Sequence, residues 1–520
     1  MTVLDPELVL PSGDDPVVSG AVTAVGGAPG RRARLSCRRL WTPLRVIVAL
    51  TLLTCTLGFL QKVPCRTHPW AHEYQYTHLC YTDVFALYFA EGLSEGKRPY
   101  LDHPVEYPVV MGAAKQLAAK AVLPFDSDQR PRRFYDVTWA LLTACAVAVA
   151  ITTARLAGRR PWDAALFALA PGLALHGTTN WDLMAMAFAG GAMLLWARRK
   201  PALAGVLLGL ATAAKLYPIL FLIPLFLLCL RARRLRAFAV TTGTTLLAIA
   251  AVTVPVYLVS PYYYDDQQTH TLPQVAASPL DRLHDDGLAA LSPQVVATLS
   301  DGRVVKGDNA VYRFFNLNQL RQADWDSLWF ALQTKRGQPL DTNLKPDEPP
   351  HKLNRGVAVS FALLLGGIGA LVFLAPRRPR LPQVLFLTMV AFLLTNKVFS
   401  PQYAIWLLPL AVLARPRWRP FLVWQATEVL VLFTRFYFFV GNDKPGQGIG
   451  TWWFLTAVLL RDLALVGYSA LVVRDILHPE HDPVRQVGQD DPAGGVLEDD
   501  VGDGTANDAA DGRRQPALAG

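Results

Sequence analysis

Charge is scarce in this chain. Asp, Glu, Lys and Arg make up 18% of its 520 residues, against about 25% in soluble domains. The sequence has no Walker loop, no dinucleotide-binding glycine fingerprint, and no CxxC or HExxH metal motif. Its 10 histidines are scattered, so neither a metal nor another cofactor is expected. The first long apolar run starts only after about 40 residues and has basic flanks, which is not the form of a cleavable signal peptide. There are 6 cysteines. Cys37, Cys55, Cys145 and Cys229 lie in apolar or basic sequence. Cys65 and Cys80 share one polar loop, where a disulfide and two free thiols are both open.

What is abundant is apolar sequence, 52% of the residues. Runs such as LRVIVALTLLTCTLGFL (44–60) and LLAIAAVTVPVYLV (246–259) dominate. A hydrocarbon core about 30 Å thick needs about 20 such residues per helix, and helices satisfy their own backbone there. The pattern predicts about 12 spans, at roughly 43–60, 135–155, 161–176, 183–197, 201–213, 215–230, 237–259, 355–375, 382–395, 402–414, 420–440 and 452–473. The expected fold is an all-α polytopic membrane protein.

The net charge of +9 is not a nucleic-acid footprint. Its arginines cluster between apolar runs: Arg31 to Arg45, Arg155 to Arg160, Arg198 to Lys200, Arg231 to Arg236, Arg377 to Arg380 and Arg415 to Arg419. That is the arrangement of cytoplasmic loops. With the basic N-terminal arm inside, the later clusters fall inside only if 106–125 does not cross. Two lysines and prolines near its ends suit an interfacial or re-entrant half-helix. Residues 1–40 read as a disordered cytoplasmic arm, 41–477 as the membrane domain with outer loops at 61–134 and 260–354, and 478–520 as a disordered acidic cytoplasmic tail. Both termini are thus expected in the cytoplasm of a multi-pass plasma-membrane protein.

The polar motifs gather at the opposite, outer side. Ionisable residues at membrane depth are functional candidates by default. Asp83 opens a short amphipathic stretch, as a helix cap or as a general base for an acceptor hydroxyl. Asp102, His103, Glu106 and Tyr107 form a polar knot between prolines, a solvated turn or a wall offering hydrogen bonds to a sugar. Lys215, followed by Tyr217, is a point charge suited to phosphate or a snorkelling lysine. Asp182, beside Asn180 and Trp181, is a cap or a site residue. Lys397, Gln402 and Tyr403 flank a short outer turn. Arg321, Asp324 and Asp326 lie in the long second loop, where such residues occur freely. Glu428, Arg435, Arg461 and Asp462 fall inside spans, with roles left open.

The order of an outer-loop Asp83, then GKRPY (96–100) and EYP (106–108), NWD (180–182), AAKLYP (213–218) and NKVFSPQY (396–403) is distinctive. In that order the chain resembles the actinobacterial polyprenol-phosphate-dependent mannosyltransferases of glycosyltransferase family 87, over about 43–475. The resemblance implies a GT-C-like bundle whose first outer loop carries interfacial half-helices. It also implies inverting transfer of a sugar, usually mannose, from a polyprenyl phosphate to a glycolipid or glycan acceptor on the outer face. Asp83 maps onto the proposed base of such enzymes, and because the chain lacks the paired acidic motif of some relatives, a second carboxylate from Asp102 or Glu106 stays open. Lys215 and Lys397, at outer helix ends, and Arg321 have the charge to partner the leaving phosphate. The remaining motif residues become sugar-binding candidates. The main rival is a transporter or flippase, which would show internal repeats and midplane polar residues. A noncatalytic scaffold would not collect a carboxylate and lysines around one mouth.

Overall fold

The computed structural model describes residues 8–10, 13, 15–26, 41–68, 70–264, 272–291, 294–298, 304–344, 348–444 and 446–498. In chain order the helices used below are α1 (Pro43–Thr67), α2 (Asp83–Ala90), α3 (Val109–Ala121), α4 (Arg130–Leu156), α5 (Asp182–Ala197), α6 (Pro201–Ala214), α7 (Leu222–Arg231) and α8 (Leu235–Val259). The long loop 260–350 adds strands β1 (Tyr262–Tyr263), β2 (Gln274–Ala276), β3 (Gln294–Thr298) and β4 (Val304–Asn309). Then follow α9 (His351–Leu374), α10 (Leu381–Thr395), α11 (Leu407–Ala414), α12 (Trp418–Asp443) and α13 (Thr451–Leu477).

Six helices, α1, α4, α8, α9, α12 and α13, are long and apolar enough to cross a membrane. This is a helical, polytopic membrane protein. The other six apolar segments read from the sequence also form helix, but in pieces too short to span alone. The segment 161–176 breaks into a 3₁₀ turn and two short helices, while 3₁₀ turns at Tyr217–Phe221 and Pro401–Trp406 precede α7 and α11. Proline at the start of these turns fixes the break.

Burial explains why short helices suffice. Nearly every residue of α10 is buried, and so are most of α11. The long α8 and α9 bury only 17% and 11% of their apolar windows and present the rest outward. Helices enclosed by other helices need not match the lipid thickness themselves. Packing joins α6 to α5 and α8, α1 to α4, α10 to α11, and α12 to α13.

The segment 106–125 folds as the 13-residue α3 and stops there. Its Lys115 is fully buried against Glu91 at 2.7 Å, so it faces protein rather than lipid. Cys65 at the end of α1 and Cys80 are joined by a disulfide, with a Cα separation of 5.5 Å.

The all-α membrane architecture stands, and the long loop 260–350 adds one small antiparallel sheet of order β2-β1-β4-β3. Two expectations need correction. The C-terminal stretch 478–498 is not a disordered tail. Asp482 is buried in a two-pronged pair with Arg380 at 2.7 and 3.0 Å, and the Asp491 carboxylate accepts from Leu381 N at 2.9 Å. Trp196 Nε1 donates to the Gly494 carbonyl at 3.0 Å. The acids that read as solvating are counter-ions to arginines of the basic loops, which lowers the cost of burying both. Part of the N-terminal arm is ordered too, as the helix Pro16–Gly26, with Asp15 accepting from Trp418 N at 3.1 Å. Residues 1–7, 11, 12, 14 and 27–40, including Cys37, and 499–520 lie outside the described residues.

Candidate active site

The site forms where the ends of several helices meet, opposite the basic loops. Thr82, not Asp83, caps α2, its hydroxyl accepting from Val84 N at 3.2 Å. Asp83 is the first helical residue and its carboxylate is left for other partners. Its backbone N–H is fixed to the Thr179 carbonyl at 2.8 Å. The Tyr81 hydroxyl donates to Oδ1 at 2.8 Å and Asn180 Nδ2 to Oδ2 at 2.7 Å. Burial and the neighbouring Asp83 raise the Tyr81 phenol well above its usual range, so it remains a donor. Lys62 Nζ holds the Tyr81 carbonyl at 2.8 Å from behind.

Asn180 also reaches the Tyr107 hydroxyl at 2.5 Å. Tyr107 in turn lies under the Lys115 ammonium, 4.2 Å from its ring centre, and the same ammonium is 4.7 Å from the Trp181 ring. Upstream, Tyr100 adopts φ 66° and its hydroxyl donates to the Tyr107 carbonyl at 2.8 Å. A Cβ at position 112 would collide with the Tyr100 ring, so Gly112 is what lets α3 approach this knot.

A cavity of 380 Å³ opens on Asp83. Its walls include Glu106, Tyr107, Asn180, Arg321, Gln402, Tyr403 and Arg435. Tyr76, Tyr81, Phe436 and Phe439 give it an aromatic side. A smaller cavity of 100 Å³ shares Glu106, Tyr107, Arg321 and Tyr403 with it and adds Lys215, Tyr217 and Trp406. Trp406 is sandwiched between Tyr403 and Tyr217, with ring centres 4.2 and 4.0 Å away.

The structure thus unites Asp83, Glu106, Tyr107, Arg321, Gln402 and Tyr403, with Lys215 and Tyr217 next door. Asp182 stands behind that second cavity. It is buried, pairs with Lys215 and accepts from Trp406 Nε1 at 2.7 Å. It caps nothing with its side chain. Lys215 is therefore already neutralised.

Three candidates are not at the cavity. Lys397 is turned toward the loop 260–350 and the start of α9, donating to the Gln319 carbonyl at 3.1 Å and Asn354 Oδ1 at 2.6 Å, and burial pushes its ammonium down to about 8. Asp102 is bound to Arg98 through two bonds of 2.8 Å, which lowers its carboxyl pKa. His103 is occupied by the Pro104 carbonyl at 2.8 Å. These residues order the loops rather than line the site.

Sequence reasoning passed over Tyr81 and Asn180, the two groups that hold Asp83, and the Glu91–Lys115 pair. Asn180 was visible in the NWD motif, but only as a neighbour of Asp182. The open cases in the spans are now placed. Arg461 Nε pairs with Asp462 at 3.0 Å and Glu428 accepts from Trp424 Nε1 at 2.7 Å, both internal. Arg435 lies 2.9 Å from Asp326 and reaches the cavity wall. Among the described residues no group of three or more His, Cys, Asp or Glu is disposed to hold a metal ion.

Residues 117–284 match the model of glycosyltransferase family 87. The matched stretch holds Asn180 to Asp182 and Lys215 to Tyr217, but not Asp83, Arg321 or the turn at 396–403. No curated protein matches the chain significantly. Among solved structures, the chain is similar to the apo crystal structure of an Archaeoglobus fulgidus oligosaccharyltransferase, at 14% identity and a TM-score of 0.39. That alignment covers 85% of this chain and 56% of the other, so the chain spans little more than half its length. The family match supports a glycosyltransferase and names neither sugar nor acceptor.

Proposed function

We propose that this protein is an inverting glycosyltransferase that moves a sugar, mannose in the simplest reading, from a polyprenyl phosphate to a hydroxyl of a cell-envelope glycolipid or glycan. Transfer takes place on the outer side of the plasma membrane. The observation that carries this reading is Asp83. It is a half-buried carboxylate held by Tyr81 and Asn180 at the wall of a 380 Å³ cavity that also contains Arg321.

In this mechanism Asp83 takes the proton of the acceptor hydroxyl as its oxygen attacks the anomeric carbon. The bond from that carbon to the phosphate oxygen breaks and the electron pair leaves with the phosphate. A phosphate is a stable leaving group, so no general acid is invoked. The lost diester gains charge as it becomes a monoester, and Arg321 supplies a compensating cation. Arg321 is loosely held, 3.5 Å from Glu106, and is free to exchange that partner for phosphate. Glu106, Tyr107 and Gln402 offer hydrogen bonds to sugar hydroxyls, and Tyr403 and the neighbouring rings offer flat apolar faces. The Lys215–Asp182 pair braces this aromatic wall.

Sidedness is supported by two observations. The basic clusters lie at the opposite end of the bundle from Asp83, as in cytoplasmic loops, and the Cys65–Cys80 disulfide sits at the Asp83 end, as in an oxidising compartment. The test is transfer from radiolabelled polyprenyl-phosphate mannose and polyprenyl-phosphate arabinose in membranes carrying the protein. A lipid- or glycan-linked product from one donor supports the reading. Uptake of donor with no transfer product would favour the transporter instead.

A further inference from the structure

Arg435 lies inside α12, where a lone guanidinium at membrane depth costs several kcal/mol. Its partner is Asp326 from the second outer loop, fully buried and 2.9 Å from Arg435 Nε. That contact does not have the geometry of a hydrogen bond, and among the described residues both Asp326 oxygens and Arg435 Nε lack a hydrogen-bond partner. Arg435 therefore has an ion pair of limited quality. Its side chain keeps 16% of its surface exposed, and it lines the cavity that Asp83 lines. The ring of Phe439, one turn on, lies 4.9 Å from the guanidinium and bounds it on one face. Asp326 is held in turn: Arg461 Nη2 donates to its backbone carbonyl at 2.7 Å.

Leaving-group charge calls for more than one cation. Arg321 shares its charge with Glu106, Lys215 is neutralised by Asp182, and Lys397 points elsewhere. Among the described residues, Arg435 is the other Lys or Arg on the wall of the Asp83 cavity.

Building on the donor class assigned above, we propose that Arg435, presented by Asp326, is an anion-binding residue that receives the phosphate of the polyprenyl carrier. Asp326 is its positioning residue. The two arginines then meet the phosphate from α12 and from the second outer loop, and a guanidinium fork matches phosphate oxygens better than an ammonium does.

A purely structural ion pair makes a different forecast. Replacing a buried pair by apolar residues often leaves stability unchanged or raised, and would leave ligand binding intact. The double variant R435L/D326L is therefore the test, with purified protein in detergent and radiolabelled polyprenyl monophosphate as the probe. Neutral polyprenol is the control. We expect a melting temperature near that of the wild type, an affinity for the monophosphate weakened about tenfold or more, and unchanged polyprenol binding. Wild-type affinity for the monophosphate in the folded double variant would overturn the proposal. If that variant does not fold, R435Q, which keeps a polar group beside Asp326, is read in the same way, with the same expected loss and the same overturning result. A wild-type protein that binds no lipid phosphate would instead refute the donor class, whatever the variants do.

Discussion

The amide of Asn180 joins Asp83 and Tyr107, the two residues on which the site is built: its Nδ2 lies 2.7 Å from Asp83 Oδ2 and 2.5 Å from the Tyr107 hydroxyl. Asn180 lies two residues before α5 while Asp83 opens α2, so one side chain couples the loop 68–108 to the membrane bundle. On the other side of the carboxylate, Tyr81 donates to Oδ1.

Removing either donor should leave the fold and impair the chemistry. Asn180→Ala takes away one hydrogen bond to a charged group, worth about 1.5–3 kcal/mol, and we expect a fall in kcat/KM of about 10- to 100-fold. Tyr81→Phe should lower it by a similar or smaller factor. Steady-state transfer in detergent, with melting temperatures unchanged within a few degrees, checks both. A variant with wild-type kinetics would remove that donor from the account.

The Glu91–Lys115 pair is buried on both sides, 3% and 0% exposed. Lys115→Met leaves the Glu91 carboxylate uncompensated, and stability should fall by about 3–5 kcal/mol. Adding Glu91→Gln should recover part of that loss. Thermal unfolding monitored in detergent decides this, and a single variant as stable as the double one would contradict it.

The C-terminal cap makes a similar forecast at the other end. Asp482→Asn removes the counter-ion of Arg380, whose guanidinium also donates to the Leu413 and Ala414 carbonyls at 2.7 and 2.6 Å. Both partners are essentially inaccessible, so a loss of about 3–5 kcal/mol is expected, with faster proteolysis after residue 477. Unchanged proteolysis would show that 478–498 contributes little to holding the loops together.

These residues also show what could be read in advance. Apolar runs and arginine clusters sufficed for the helical membrane architecture, because hydropathy and helix length are local properties. Asp83 and Glu106 stood out because charge is rare near such runs, whereas Arg321 lay in a long loop where charged residues occur freely. What escaped was pairing across distance. Nothing near Lys397 in the chain says that it points at Asn354, and nothing near Lys215 says that Asp182 neutralises it. The acidic stretch 478–498 misled for the same reason: its composition is that of a disordered tail until the arginines of distant loops are brought beside it. The small sheet of β1 to β4 was hidden inside a long loop whose other residues are turn formers.

The central claim is that Asp83 is the base. Its most direct test is Asp83→Asn, which keeps the shape and an acceptor for one of the two donors, Tyr81 and Asn180, but cannot take up the proton. Transfer from polyprenyl-phosphate mannose to acceptor in membrane fractions should fall by about 10²- to 10⁴-fold, while donor binding and melting temperature stay near wild type. Transfer at the wild-type rate by the folded Asp83→Asn protein would contradict the account.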